Sequence, residues 1–208
     1  MDDTPLRTEN AGPLAGVRVL ELGQLIAGPF AAKTLADFGA DVIKVESPAG
    51  GDPLRQWRLL KDGTSVWWQV QSRNKRSVAL DLKDPAAVDV VRSLALEADV
   101  LVENFRPGAL EAFGLDPQAL LQANPRLIVL RISGYGQTGP YRDKPGFGVV
   151  AEAMGGLRHL TAEPGRTPVR VGVSIGDPLA ALHGVIGVLM ALHERHASGR
   201  GQVIDVAL

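Results

Sequence analysis

Short runs of aliphatic and β-branched residues alternate along this chain with stretches of helical spacing, and that alternation restricts it to α/β architectures. Val17 to Leu22 (VRVLEL) follows the turn Ala15-Gly16 and reads as a buried strand. Behind it come Gly23-Gln24-Leu25-Ile26-Ala27-Gly28-Pro29, an Ala-rich segment from Phe30 to Phe38, a stop at Gly39, and a second apolar run, Val42 to Val45, closed by Glu46. Together these make a βαβ unit of about 30 residues, whose first loop lies at the carboxyl edge of a parallel sheet. The acidic residue closing the second strand invites a dinucleotide reading. Gly23 and Gly28 do not form G-x-G-x-x-G, however, so the loop is left to meet a nucleotide of another kind. Further strands are expected at Val78 to Leu82, Asp99 to Phe105 and Leu127 to Ile132, with helices opened by Asp84-Pro85 and Asp116-Pro117 between them. A helix is also expected from Phe147 to Leu157. Polar residues follow the later strands, including the Gly-rich loop Ser133 to Pro140, and such loops collect on one edge of the sheet. The expected fold is a Rossmann-like open parallel sheet flanked by helices.

Two stretches are of mixed meaning. Ser47 to Thr64 is rich in Gly, Pro, Arg and Asp and reads as a surface excursion. Ser72-Arg73-Asn74-Lys75-Arg76-Ser77 is a compact basic cluster that suits a phosphate or carboxylate ligand, or is simply a solvated basic turn.

Val169 to Gln202 carries the carboxylate of greatest interest. The apolar run Val169 to Ile175 reads as a strand that ends at Gly176-Asp177-Pro178. A helix follows, with Leu179, Leu182, Val185, Ile186, Leu189, Met190 and His193 spaced to face the core. Asp177 before Pro178 has the form of an N-cap followed by proline at the first helical position. A helix amino terminus also favours an ionised carboxylate, which can act as a nucleophile, so both roles are open to one residue.

Composition removes several classes. With 22 Lys+Arg against 23 Asp+Glu the formal net charge is −1, which argues against a nucleic-acid partner. There are no cysteines, so disulfides and thiolate chemistry are excluded, and His183, His193 and His196 share one helix without a metal-ligand pattern. No metal is expected. Residues 1–13 (MDDTPLRTENAGP) read as a disordered lead without the apolar core of a signal peptide. The longest apolar run is interrupted by His183, Gly184 and His193, so no membrane span and a cytoplasmic location are expected.

Several blocks, in order, carry a family resemblance: LAGVRVLELGQLIAGPFAAKTLADFGADVIKVE, NKRSVALDL, DVLVENFRPGALEAFGL, ISGYGQTGPY, and SIGD ahead of a helix ending SGRGQ. From Leu14 to Leu208 the chain resembles the amino-terminal part of family III CoA-transferases, the group of formyl-CoA transferase, the carnitine CoA-transferases and the α-methylacyl-CoA racemases. The resemblance implies a CoA-binding α/β domain over residues 14–208, with coenzyme A entering as the acyl-CoA substrate and a carboxylic acid as acceptor. Asp177 then matches the catalytic aspartate, which passes through an aspartyl-CoA intermediate, and Gly172 and Gly176 leave room for CoA beside it. The implied CoA contacts are Ala27, Leu80, Lys83, Asn104, Phe105, Arg106, Ser133, Tyr135 and Gly136. Ser47 and Ala112 stand where formyl-CoA transferase has arginines, leaving Lys44, Arg106 or the cluster Arg73 to Arg76 to compensate. The racemases place a histidine after the Gly-rich loop, where this chain reads Pro145-Gly146-Phe147-Gly148, and that departure favours transfer over proton exchange. Members of the family are about twice this long and form interlocked dimers. The resemblance therefore implies an incomplete large domain that pairs as a homodimer or with a complementary carboxyl-terminal half; a non-catalytic CoA-binding remnant is the alternative from another class.

Overall fold

The first βαβ unit forms as its pattern requires. In the computed structural model, which describes residues 12–208, it comprises β1 (Arg18–Glu21), α1 (Ala27–Asp37) and β2 (Asp41–Glu46). The first eleven residues of the expected lead lie outside the described residues. After a single 3-10 turn at Pro53–Gln56 come the two-residue strands β3 (Leu60–Lys61) and β4 (Thr64–Ser65), then α2 (Val66–Gln71) and β5 (Lys75–Ala79). The chain continues through α3 (Pro85–Glu97), β6 (Val100–Glu103), α4 (Ala109–Ala112), α5 (Pro117–Ala123) and β7 (Ile128–Ser133). It closes with α6 (Gly148–Met154), α7 (Leu157–Leu160), α8 (Gly176–Ser198) and β8 (Val203–Ala207).

Six strands form one parallel sheet in the order β5-β2-β1-β6-β7-β8, and β3 and β4 make a separate antiparallel pair. The order reverses direction at β1, so the loops after β1 and β6 diverge and leave a crevice at the carboxyl edge. One face of the sheet buries Val19, Val42, Val102, Leu130 and Ile132 against α1 and α8, while the other buries Leu20, Leu101 and Val129 beneath α3, α4 and α5. Asp84 and Asp116 cap α3 and α5 by accepting the N–H of the residue two further on, each ahead of a proline.

Three expectations are corrected. The Ser47–Thr64 excursion is largely exposed, yet it holds elements of its own: Asp52 caps the 3-10 turn, and the hairpin β3–β4 follows it. The strand expected at Val78 to Leu82 instead begins at Lys75. The basic cluster itself alternates across β5, with Lys75 turned inward to Glu21 (2.7 Å) and Arg76 outward to Asp41 (2.7 Å). Val169 to Ile175 is not a strand; Val169 and Val173 are exposed, and helix begins at Gly176.

The buried side of α8 also differs from the one its large residues mark. Ala180, Ala181, Gly184, Val185, Val188 and Ala191 face the core, whereas Leu179, Leu182, Ile186, Leu189, Met190 and His193 are exposed. Close packing is the reason. A Cβ on Gly184 would stand 2.9 Å from Leu130 Cδ1, and one on Gly187 3.0 Å from Ile204 Cγ2. A helix this near the sheet must present small residues to it. By length and composition α8 is apolar enough to cross a membrane, yet its small-residue side packs on the sheet in the same layer as α1.

Candidate active site

The first βα loop is held by buried charge. Lys44 Nζ, 1% exposed, lies 2.9 Å from Glu21 Oε1, 2.9 Å from Asp52 Oδ2 and 2.6 Å from the carbonyl of Gly23. Burial alone would push the Lys44 pKa down, but Glu21 and Asp52 outweigh it and hold the ammonium charged, with its pKa raised. Asp52 also accepts the N–H of Leu25 (3.1 Å), fixing that residue at φ +61°, a conformation a leucine rarely adopts. On the other flank, Asn104 Oδ1 accepts the N–H of Gln24 (2.7 Å) and Asn104 Nδ2 donates to the Gln24 carbonyl (2.9 Å). Gly23 and Gly28 serve this approach, since a Cβ on either would meet the other's backbone at 2.9 Å and Asn104 Oδ1 at about the same distance. The two glycines therefore shape a loop without making a dinucleotide fingerprint.

Asp177 is the second residue of α8, not its cap; Ile175 holds the cap position, with no side-chain capping bond. The capping role is therefore withdrawn, and its carboxylate turns instead against Gly148 at the start of α6, where any Cβ would overlap Oδ2. Gly148 thus makes room for the Asp177 carboxylate itself, while Gly172 has open space around it. Burial raises the Asp177 pKa; its own backbone N–H and the Arg170 charge pull it down, and Glu152 adds to the rise, leaving it raised overall.

The carboxylate borders a cavity of about 180 Å³ at the crevice. Six sequence-expected residues converge there: Asp177, Ala27, Asn104, Phe105, Arg106 and Ser133. Leu80 and Lys83 line an adjoining cleft of about 230 Å³ that shares Gln24 and Phe105 with the first. Tyr135 and Gly136 stand outside both. The Tyr135 hydroxyl lies 3.1 Å from Met154 Sδ, and Gly136 turns at φ +78° beside the Asp205 carboxylate, which accepts the N–H of Gln137.

The compensating cations are fewer than expected. Lys44 is locked in the buried network, Arg73 pairs with Asp37 (3.0 Å), Lys75 with Glu21, and Arg76 with Asp41. Arg106 remains exposed at the cavity. Arg142 and Lys144 join it on the rim, and sequence reasoning missed both. Their signal was the pair of cations in Tyr141-Arg142-Asp143-Lys144, directly after the Gly-rich loop. Among the described residues no group of His, Cys, Asp and Glu is placed to hold a metal ion.

An open parallel sheet with an aspartate at the meeting point of its strand-end loops is a doubly wound α/β fold with its crevice at the switch in strand order. The chain belongs to CoA-transferase family III, whose family model matches residues 14–208. It is 54% identical over 197 residues to succinyl-CoA–D-citramalate CoA-transferase of Chloroflexus aurantiacus, covering 94% of this chain and 49% of that one. It is 52% identical to the succinyl-CoA–L-malate CoA-transferase beta subunit of the same organism, with the same coverage. A crystal structure of a CaiB/BaiF family protein from Brucella suis superposes with a TM-score of 0.90 at 42% identity, over 94% of this chain and 53% of that one. The chain spans about half the length of the curated relatives it matches.

Proposed function

We propose that this chain carries the nucleophile and the CoA-binding edge of a CoA-transferase that moves CoA from an acyl-CoA donor to a carboxylic acid. The observation behind the reading is Asp177, a half-buried carboxylate where the loops after β1, β6 and β7 meet. Its oxygen attacks the thioester carbonyl; the C–S bond breaks, CoA leaves as thiolate, and a mixed anhydride remains. The thiolate then attacks the aspartyl carbonyl, releasing the donor acid as carboxylate and leaving an aspartyl-CoA thioester. The acceptor carboxylate attacks that thioester and expels the thiolate, which takes the acceptor's carbonyl from the new anhydride and restores the Asp177 carboxylate. No proton changes hands, so no general base is required. Phe147 on the cavity wall, at the place where the racemases carry histidine, supports transfer over proton exchange. The two adjoining clefts give an extended CoA its path, and Arg106, Arg142 and Lys144 supply positive charge for its phosphates.

The test is intact-mass spectrometry of the purified protein after incubation with a panel of acyl-CoA thioesters and trapping with hydroxylamine. A hydroxamate on Asp177 is expected, absent from Asp177→Ala. An adduct that persists in the variant, or none in the wild type with any thioester, overturns the reading.

A further inference from the structure

Four consecutive backbone groups in the first βα loop are each held by a side chain from another part of the chain. Lys44 Nζ donates to the Gly23 carbonyl (2.6 Å), Asn104 Oδ1 accepts the N–H of Gln24 (2.7 Å), Asn104 Nδ2 donates to the Gln24 carbonyl (2.9 Å), and Asp52 accepts the N–H of Leu25 (3.1 Å). The turn is thus gripped from β2, from the loop after β6 and from the excursion after β2. Leu25 shows what the grip imposes. Its φ of +61° costs an L-residue free energy and a glycine almost none, yet the residue is leucine. Such a conformation persists only where surrounding groups hold it.

Asp52 is the group that acts on Leu25. Its carboxylate is 2% exposed, faces Lys44 Nζ at 2.9 Å and accepts the N–H of Leu54 (2.9 Å), while its own N–H is held by Glu46 Oε2 (2.9 Å), so it is fixed independently of the loop it grips. What it places is one wall of the site. Gln24, Leu25, Ile26 and Ala27 line the cavity of about 180 Å³ that Asp177 borders, and Gln24 also lines the adjoining cleft, whereas Asp52 lines neither. We propose that Asp52 is a positioning residue, holding the loop Gly23 to Ala27 in the strained form that accepts CoA, so that the excursion after β2 governs CoA affinity without touching CoA. The inference rests on the transferase reading and deepens it.

The experiment measures the Kd of free CoA by calorimetry, and the rate of trapped Asp177 adduct against acyl-CoA concentration. Asp52→Asn keeps the side chain's size, removes its charge and leaves Lys44 paired with Glu21 (2.9 Å). It should weaken CoA binding roughly 10-fold, the loss of a hydrogen bond to a charged group, and raise the acyl-CoA concentration for half-maximal rate by the same factor. The rate at saturation should change less than about threefold, because Asp177 is untouched. Adding Leu25→Gly relieves the strain, so that double variant should bind CoA roughly fivefold tighter than Asp52→Asn with Leu25→Ala, which loses the same side-chain contacts and keeps the strain. A merely structural Asp52 would lower the folded fraction and with it the saturating rate, and glycine would not restore it. Should Asp52→Asn fail to fold, Leu25→Val against Leu25→Ala with Asp52 intact reads the same strain; the β-branched residue should bind CoA about threefold weaker or worse. Unchanged affinity in Asp52→Asn, equal affinities in the two double variants, or equal affinities of the valine and alanine variants overturn the inference. CoA binding without any adduct overturns the transferase reading and leaves calorimetry to decide the role of Asp52; a wild type that binds no CoA overturns both.

Discussion

At the scale of single residues, the fold partly withholds one carboxylate, Asp177, from water. Asp177 has a raised pKa because burial disfavours its charge more than Arg170 and its own backbone N–H favour it. The charged form is therefore costlier in the folded protein than in water. Between the ordinary value of 3.8 and the raised folded value the native state binds more protons than the unfolded chain, so the stability Asp177 contributes is lost as pH rises through that window. Asp177→Asn should accordingly raise the Tm at pH 7 and leave it nearly unchanged near pH 3, while abolishing adduct formation. Thermal unfolding at the two pH values checks this, and a lower Tm at pH 7 would count against it. Such an exchange of stability for reactivity is usual at active sites. Asp177 was legible in the sequence as a carboxylate at a helix start, although its position inside the first turn was not. Gly148 was not legible as part of the site, because its contact with Asp177 joins two helices 29 positions apart in the chain, as the residue numbers show. Asp52 was missed for the same reason: only the fold brings Leu25 to it.

At the scale of elements, the alternation of strands and helices could be read directly, and the Asp-Pro starts of α3 and α5 were placed by local chemistry alone. What failed were segments whose partners are distant. The cations of residues 73–76 were read as open to a ligand or to solvent because their acceptors Glu21, Asp37 and Asp41 lie 35 or more positions away. The excursion after β2 was read as a bare loop because its anchor is a hub, Glu46. That carboxylate accepts from Arg55 Nε and Nη2 (both 2.8 Å), Ser77 Oγ (2.6 Å) and the N–H of Asp52 (2.9 Å). Burial pushes the Glu46 pKa up, but these bonds outweigh it and bring the value down from 4.5 to about 2. Its stabilisation is thus fully present above the unfolded value of 4.5 and is lost as pH falls toward 2. Glu46→Gln should lower stability at pH 7 by about 1.5–3 kcal/mol, the worth of hydrogen bonds to a charged group, with the difference from wild type shrinking below pH 4. Limited proteolysis should cut the variant first within residues 47–65. Denaturant titration at both pH values and the early cleavage sites test the hub; an unchanged midpoint with an intact loop would refute it.

At the scale of the whole molecule, the two faces of the sheet are finished to different degrees. The face under α3, α4 and α5 closes over Leu20, Leu101 and Val129, whereas the outer side of α8 presents Leu179, Leu182, Ile186, Leu189 and Met190 at 41–67% exposure. Sequence periodicity marked those residues as core because a count of large aliphatics cannot tell a side that meets the sheet from one that meets another protein surface. The small residues facing Leu130 and Ile204 settle which side the sheet takes. An exposed apolar stripe of this kind is a candidate protein interface. The edge strands β5 and β8 each pair on one side only among the described residues, which adds to the tendency to associate. The protein should therefore run above its 22.0 kDa monomer mass in gel filtration with light scattering. Leu189→Lys with Met190→Glu should weaken association at least tenfold, since burying one such side chain is worth about 1.5–3 kcal/mol. Because both side chains already face outward, Tm at low concentration and the far-UV spectrum should not change. A wild type that is monomeric at every concentration, or a double variant that assembles as before, would remove α8 from the interface. In either case its outer stripe would be an ordinary exposed surface, and in the second association would rest on the sheet edges alone.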